Sequence, residues 1–198
     1  MNRNKNLNIL NNTELWDLLV IGGGATGLGA ALDAASRGMK VLLIEKHDFS
    51  KGTSSKSTKL VHGGVRYLRN GEIGLVRKAL KERNILQRNA PHLVQNMTFI
   101  IPIYHWIHFL FYGIGLMIYD LIAGKKSFGK TLFLGKKRTL TKLNGLNMRS
   151  LKGGISYQDG QFDDSRFAIS LAQTIEKEGS AVINYLEFIS YSKKDGKG

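Results

Sequence analysis

The first patterned stretch is Trp16-Asp17-Leu18-Leu19-Val20-Ile21, a short apolar run that leads straight into a cluster of glycines. Such a run, bounded by glycine, predicts a strand buried on both faces of a parallel sheet. Residues 25–37 predict a helix. Ala30, Ala31, Ala34 and Ala35 favour that state and let it lie close on a sheet, and Gly38 supplies a left-handed stop. Residues 41–45, Val-Leu-Leu-Ile-Glu, predict the second strand, which completes one βαβ unit with an expected right-handed crossover. Leu75, Val76, Ala79, Leu80 and Leu86 recur at helical spacing among charges, so residues 74–89 predict an amphipathic helix that ends before Pro91. Asp163-Asp164-Ser165 ahead of Phe167, Ile169, Leu171, Ala172 and Ile175 predicts an N-capped helix closed by Gly179. Residues 181–185 and 188–192 read as strands, and Asp195-Gly196 as a hairpin turn.

Three stretches do not follow these periods. Residues 97–119 carry no Lys, Arg, Asp or Glu and match a membrane span in length. Pro102, His105, His108, Gly113 and Gly115 interrupt them, so the expectation is a buried helix over about 106–122. Residues 49–70 are dense in Ser, Thr, Gly, Lys and Arg, the composition of a loop with function. Residues 1–13 are Asn-rich, without the apolar run of a secretory signal, and are expected to form a disordered tail.

Composition adds a charge argument. Lys and Arg number 29 against 15 Asp and Glu, a formal net charge of +14, which attracts phosphates of nucleotides, nucleic acids, anionic lipids or phosphorylated metabolites. No nucleic-acid module accompanies it: RNP-type aromatics, zinc ligands and basic-zipper heptads are all missing, so nucleic acid is not an expected partner. Residues 121–158 hold nine Lys or Arg and no acidic residue, either a solvated face or a docking surface for anionic lipid. The absence of cysteine excludes disulfides, thiolate metal sites and thiol catalysis from this stretch; no metal is expected, and a cytoplasmic location fits.

Gly22-Gly23-Gly24-Ala25-Thr26-Gly27 is G-x-G-x-x-G between a predicted strand and a predicted helix. Gly22 permits the turn, Gly24 lets backbone approach a pyrophosphate at the positive end of the helix, and Gly27 lets helix and strand pack closely. Glu45, 18 residues past Gly27 at the end of the second strand, is placed to accept hydrogen bonds from an adenosine ribose. These features predict dinucleotide binding and leave FAD and NAD open.

The chain then runs Thr53-Ser54-Ser55-Lys56-Ser57-Thr58-Lys59-Leu60-Val61-His62-Gly63-Gly64-Val65-Arg66-Tyr67-Leu68. This run resembles the hallmark segment of the FAD-dependent glycerol-3-phosphate dehydrogenases and related glycerophosphate oxidases. Met117-Ile118-Tyr119-Asp120-Leu121 and residues 157–167 resemble the same family. The resemblance implies a Rossmann-like α/β FAD-binding domain with part of a second, α+β substrate-covering domain. Its expected divisions are residues 14–74 for the first part of the FAD domain, 75–155 for an inserted helical or cap region, and 156–198 for a return toward the FAD domain.

It further implies that Ser54, Ser55 and Ser57 hydrogen-bond the flavin nucleotide, that Lys59, Leu60, His62, Gly63 and Gly64 run along the isoalloxazine, and that Arg66 and Tyr67 contact substrate. The catalytic base is expected beyond Gly198. The implied reaction takes sn-glycerol 3-phosphate to dihydroxyacetone phosphate, passing electrons from FAD to a quinone or to oxygen. The implied location is peripheral, on the inner face of the cytoplasmic membrane. Another FAD oxidoreductase of this fold and an inactive basic fragment are the alternatives.

Overall fold

In a computed structural model, which describes residues 1–68, 70–124 and 127–192, the chain folds as two units. The first runs from Met1 to Thr58 and resumes at Asp163; the second is Lys59–Phe162. The divisions thus fall at 58/59 and 162/163, where the sequence suggested 74/75 and 155/156. Backbone pairing explains the difference, because Leu60 and Val61 join the antiparallel sheet of the second unit.

The first unit is built on a three-stranded parallel sheet. Its strands are β1 (Leu18–Ile21), β2 (Val41–Ile44) and β7 (Ala181–Ile183), in the order β1-β2-β7. Helix α2 (Ala25–Ser36) crosses from β1 to β2, as the sequence predicts, but β1, expected to be buried, stands at the end of the strand order with Leu19 and Ile21 exposed. Because side chains alternate across a strand, the two faces of the sheet carry different cores. Val41, Leu43 and Val182 pack with Leu28, Ala31, Ala34 and Ala35 of α2 and with Ala168, Ala172 and Ile175 of α7 (Asp164–Lys177). The N-cap of α7 is Asp163, whose carboxylate accepts from the Ser165 and Arg166 amides at 3.1 Å.

Leu42, Ile44, Ala181 and Ile183 face the other way, onto Leu7, Ile9, Leu10, Trp16, Leu186 and Phe188. That packing corrects the expectation of a disordered tail: Arg3–Asn12 is a helix, α1. Its asparagines act as connectors. Asn2 caps the helix by accepting from the Lys5 amide, and buried Asn6 accepts from the Val182 amide at 3.3 Å and donates to Glu176 at 3.0 Å. Burial pushes the Glu176 carboxyl up, but hydrogen bonds from Asn2 and Asn6 and the N-terminal ammonium outweigh it and hold it below its ordinary range. The strand expected over 188–192 is irregular chain; the last backbone bond from this end of the chain to the β2 side is that of the Leu186 amide to the Glu45 carbonyl, among the described residues. Asp195-Gly196 lies outside the described residues.

The second unit is organised by two ten-residue strands. β4 (Val94–Ile103) and β6 (Gly153–Phe162) pair antiparallel from Val94↔Phe162 to Ile103↔Gly153. The other edge of β6 takes β3 (Leu60–Val61) and β5 (Leu132–Gly135). At Gly160 an added Cβ would lie 2.6 Å from both the Val61 carbonyl oxygen and its side chain, so glycine is what lets β3 close on β6. The short helix α3 (Val65–Leu68) and the amphipathic α4 (Ile73–Asn89) precede β4; α6 (Lys136–Lys142) follows β5.

Helix α5 (Trp106–Ala123) matches its expected bounds and departs from its expected environment. Gly113, Leu116, Tyr119 and Ala123 form a narrow buried seam, whereas Trp106, Ile107, Leu110, Phe111 and Leu121 are 56–81% exposed. A helix expected to be buried therefore presents an open apolar face. By length and composition it is apolar enough to cross a membrane. Around Gly113 the ring of Phe133 comes so close that a Cβ would lie 2.7 Å from it, and an apolar groove of about 350 Å³ runs from Trp106 to Met117.

Candidate functional site

The glycine cluster forms the turn from β1 into α2. Gly22 adopts φ +114°, a conformation that disfavours any side chain. A Cβ at Gly27 would lie 2.1 Å from the Gly22 carbonyl oxygen, so the third glycine of the motif is fixed by backbone packing. Gly24 is different: it is the N-cap of α2, no side chain caps the helix there, and an added Cβ would meet nothing within 4 Å. The result is a helix N-terminus with exposed backbone and an open approach, the arrangement that binds a pyrophosphate. These residues fit a dinucleotide.

Glu45 follows β2 and braces the same turn. Its carboxylate accepts from the Gly23 amide and from the His47 amide, both at 2.7 Å. Each oxygen keeps further lone pairs for a ribose hydroxyl. The serines lie in and just beyond a single 3₁₀ turn, Thr53–Ser55. Ser55 shares its hydroxyl proton between the Lys51 and Gly52 carbonyls at 3.0 Å, and Ser57 donates to the buried Asp164. Ser54 is half-buried on the same turn.

In the second unit, Lys59 stands at φ +61° and its carbonyl accepts from the Phe162 amide. Leu60 enters β3, and the chain then turns through His62, Gly63 and Gly64 into α3. His62 is exposed, and its Nδ1 accepts from the Gly64 amide at 3.0 Å. Gly64 has φ +74°, and the Tyr67 ring sits where its Cβ would be. Arg66 is exposed and Tyr67 is 39% exposed, both on α3. A cavity of about 380 Å³ lies beside this segment, lined by Leu60, Val61, His62, Ala79, Glu82, Arg83 and Leu86.

Beneath Gly63 lies a charged network that the sequence reading missed. Arg83 and Asp159 are buried, with Arg83 Nη1 2.7 Å from Asp159 Oδ1, and Tyr119 donates to Asp159 Oδ2 at 3.0 Å. The Gly160 and Gly63 amides donate to Asp159 Oδ1 at 3.0 and 3.3 Å, and the guanidinium carbon stands 4.0 Å over the Phe128 ring. The spacing Val76, Leu80, Arg83 carried the signal, since it puts Arg83 on the apolar stripe of α4.

Burial, and then the adjacent Asp159 charge, push the Tyr119 phenol far above its ordinary range. Folding therefore favours the neutral phenol. The stability this gives is complete below the unfolded-state value of about 10 and declines as pH rises above it. Because burial also raises the Tyr157 phenol, stability in chemical denaturation above about pH 10 is expected to fall more steeply in the wild type than in Tyr119→Phe by one proton, about 1.4 kcal/mol per pH unit. Equal slopes in the two proteins would refute it.

Comparison with known proteins gives the family. Residues 17–198 match the family described as DAO, FAD dependent oxidoreductase. Mitochondrial glycerol-3-phosphate dehydrogenase of Macaca fascicularis is 44% identical over 97% of the chain, which spans 27% of that protein. The Saccharomyces cerevisiae enzyme of the same name is 45% identical over 91% of the chain, which spans 29% of it. In structure, the chain superposes with TM-score 0.71 and 33% identity on glycerol-3-phosphate dehydrogenase from Bacillus halodurans, solved with FAD, covering 98% of this chain and 31% of that one. With an open helix N-terminus behind its glycine turn and a match over residues 17–198, the chain belongs to the FAD dependent oxidoreductase family.

Proposed function

We propose that this chain is the cofactor-holding part of an enzyme that oxidises sn-glycerol 3-phosphate to dihydroxyacetone phosphate. The observation that carries the reading is 44% identity to a glycerol-3-phosphate dehydrogenase across 97% of the chain, a span that includes the run from Thr53 to Leu68. Bound FAD supplies the hydride acceptor.

The chain's own residues then have separate tasks. The N-terminus of α2 and the backbone of Gly24 hold the pyrophosphate, and Glu45 takes the ribose hydroxyls. Ser54, Ser55 and Ser57 serve the nucleotide, and the segment containing Lys59, Leu60, His62, Gly63 and Gly64 runs along the ring system. Arg66 binds the substrate phosphate through paired N–H donors and Tyr67 adds a hydroxyl. His62 accepts a hydrogen bond from the Gly64 amide at Nδ1, which gives it a loop-holding role rather than that of the base that takes the C2 hydroxyl proton. The hydride leaves C2 as that proton departs, which yields the ketone.

The electrons pass on to a membrane quinone. Exposed Lys130, Lys136, Lys137, Arg138, Lys142, Arg149 and Lys152, with the open face of α5, suit peripheral attachment to anionic lipid. The proposed location is the inner face of the cytoplasmic membrane; the Macaca fascicularis and Saccharomyces cerevisiae relatives are mitochondrial in name. The natural gene product containing this chain is expected to co-sediment with phosphatidylglycerol vesicles and to be released by salt, which screens charge over about 10 Å at 0.1 M. Binding indifferent to lipid charge and salt would remove the electrostatic part.

Product analysis tests the reaction. Dihydroxyacetone phosphate should form in step with reduction of an artificial acceptor from sn-glycerol 3-phosphate and not from amino acids; turnover of amino acids alone would overturn the substrate assignment. Peroxide formation in place of quinone reduction would select oxygen as the acceptor.

A further inference from the structure

The turn of residues 62–64 is held by more than its own chain. Asp159 receives four donors, from Arg83, Tyr119 and the Gly160 and Gly63 amides, and only the last belongs to this turn. An added Cβ at Gly63 would lie 2.1 Å from Tyr119 Oη and 2.4 Å from Leu80, so the backbone rests directly on the network. A cavity lies between Leu60, Val61 and His62 and the α4 residues Ala79, Glu82, Arg83 and Leu86, so the turn meets α4 closely only from Gly63 onward. The Gly63 hydrogen bond to Asp159 and the close contact with Tyr119 and Leu80 together set where the turn stands.

The choice of charge is informative as well. A buried ion pair contributes little net stability over well-packed apolar residues, because desolvation offsets its attraction. What it does provide is direction: a carboxylate fixed by a planar guanidinium and a phenol offers the Gly63 amide one place to bond. The guanidinium is in turn fixed by the Phe128 ring.

We infer that Arg83, Asp159 and Tyr119 are positioning residues that fix the Gly63 backbone, and through it the segment that borders the flavin. The role at the flavin rests on the function proposed above; the effect on the Gly63 backbone does not. Tyr119→Phe removes one donor while keeping the ring, and Arg83→Lys keeps the charge while losing the fork. Leu116→Ala is the control, since Leu116 belongs with Ile103 and Ile155 to a core cluster of the same unit other than the one that contains Tyr119.

All are made in the natural gene product and read three ways: amide hydrogen exchange at Gly63, the visible circular dichroism and midpoint potential of bound flavin, and the rate of anaerobic flavin reduction. Tyr119→Phe and Arg83→Lys are expected to speed Gly63 exchange about tenfold, the size of one lost hydrogen bond. They should also shift the dichroism and potential, and slow reduction at saturating sn-glycerol 3-phosphate, with half-saturation little changed. Leu116→Ala is expected to lower the melting temperature and leave all three readouts as in the wild type. Wild-type exchange and wild-type flavin signals in both network variants would overturn the inference, as would equal shifts in Leu116→Ala. If sn-glycerol 3-phosphate fails to reduce the wild-type flavin, the substrate reading fails, and exchange, dichroism and potential still decide this one.

Discussion

Gly24→Val is expected to give a protein that folds and carries no FAD. A Cβ at Gly24 meets nothing within 4 Å, so the fold accepts a side chain, but one placed at the N-terminus of α2 stands where a pyrophosphate must approach the backbone. Gly27→Val is expected to fail differently. Its Cβ would be 2.1 Å from the Gly22 carbonyl oxygen, an overlap that no side-chain rotation relieves, so β1 and α2 must separate. Far-UV circular dichroism with flavin content of the purified proteins distinguishes the two: native dichroism without flavin for Gly24→Val, and loss of both for Gly27→Val. Full flavin in Gly24→Val would remove the pyrophosphate from this helix.

The second large effect belongs to Asp159. Asp159→Asn leaves the buried Arg83 guanidinium without a counter-charge, and breaking a buried pair from one side costs about 3–5 kcal/mol. Denaturant unfolding is expected to show that loss. The double variant Arg83→Met, Asp159→Leu is not expected to recover it, because the Gly63 and Gly160 amides and the Tyr119 hydroxyl lose their acceptor as well. Recovery to wild-type stability in the double variant would mean that those three donors find other partners, and that Asp159 matters only as a counter-charge.

The parts of the fold that were readable from sequence are those set by short-range chemistry. The β1-α2-β2 unit was legible because its strands, its alanine-rich helix and its glycine turn sit within about thirty residues. The Asp163 cap and the apolar stripe of α7 gave that helix for the same reason. What depends on distant partners was not legible. The asparagines of α1 look like a disordered composition until Asn6 is seen bonded to Val182 and Glu176. The ladder of β4 on β6 was hidden in a run read for its lack of charge and in a glycine-rich segment whose glycines serve close contact with other strands.

At the site, the glycine turn from β1 into α2 and the place of Glu45 after β2 were legible from spacing, since Gly22 and Gly27 each have a backbone reason. The support beneath Gly63 could not, because an arginine among the charges of an amphipathic helix reads as solvated unless its register with Val76 and Leu80 is followed. The same limit applied to α5. A run without charges reports how apolar a helix is, and not what covers it; here nine of its large apolar residues are 41–81% exposed.

The most direct test of the account is anaerobic addition of sn-glycerol 3-phosphate to the purified natural gene product while flavin absorbance at about 450 nm is followed. The bound flavin is expected to bleach on addition of this substrate. A flavin that stays oxidised would contradict the assigned substrate, and a protein without flavin would contradict the reading of the glycine cradle itself.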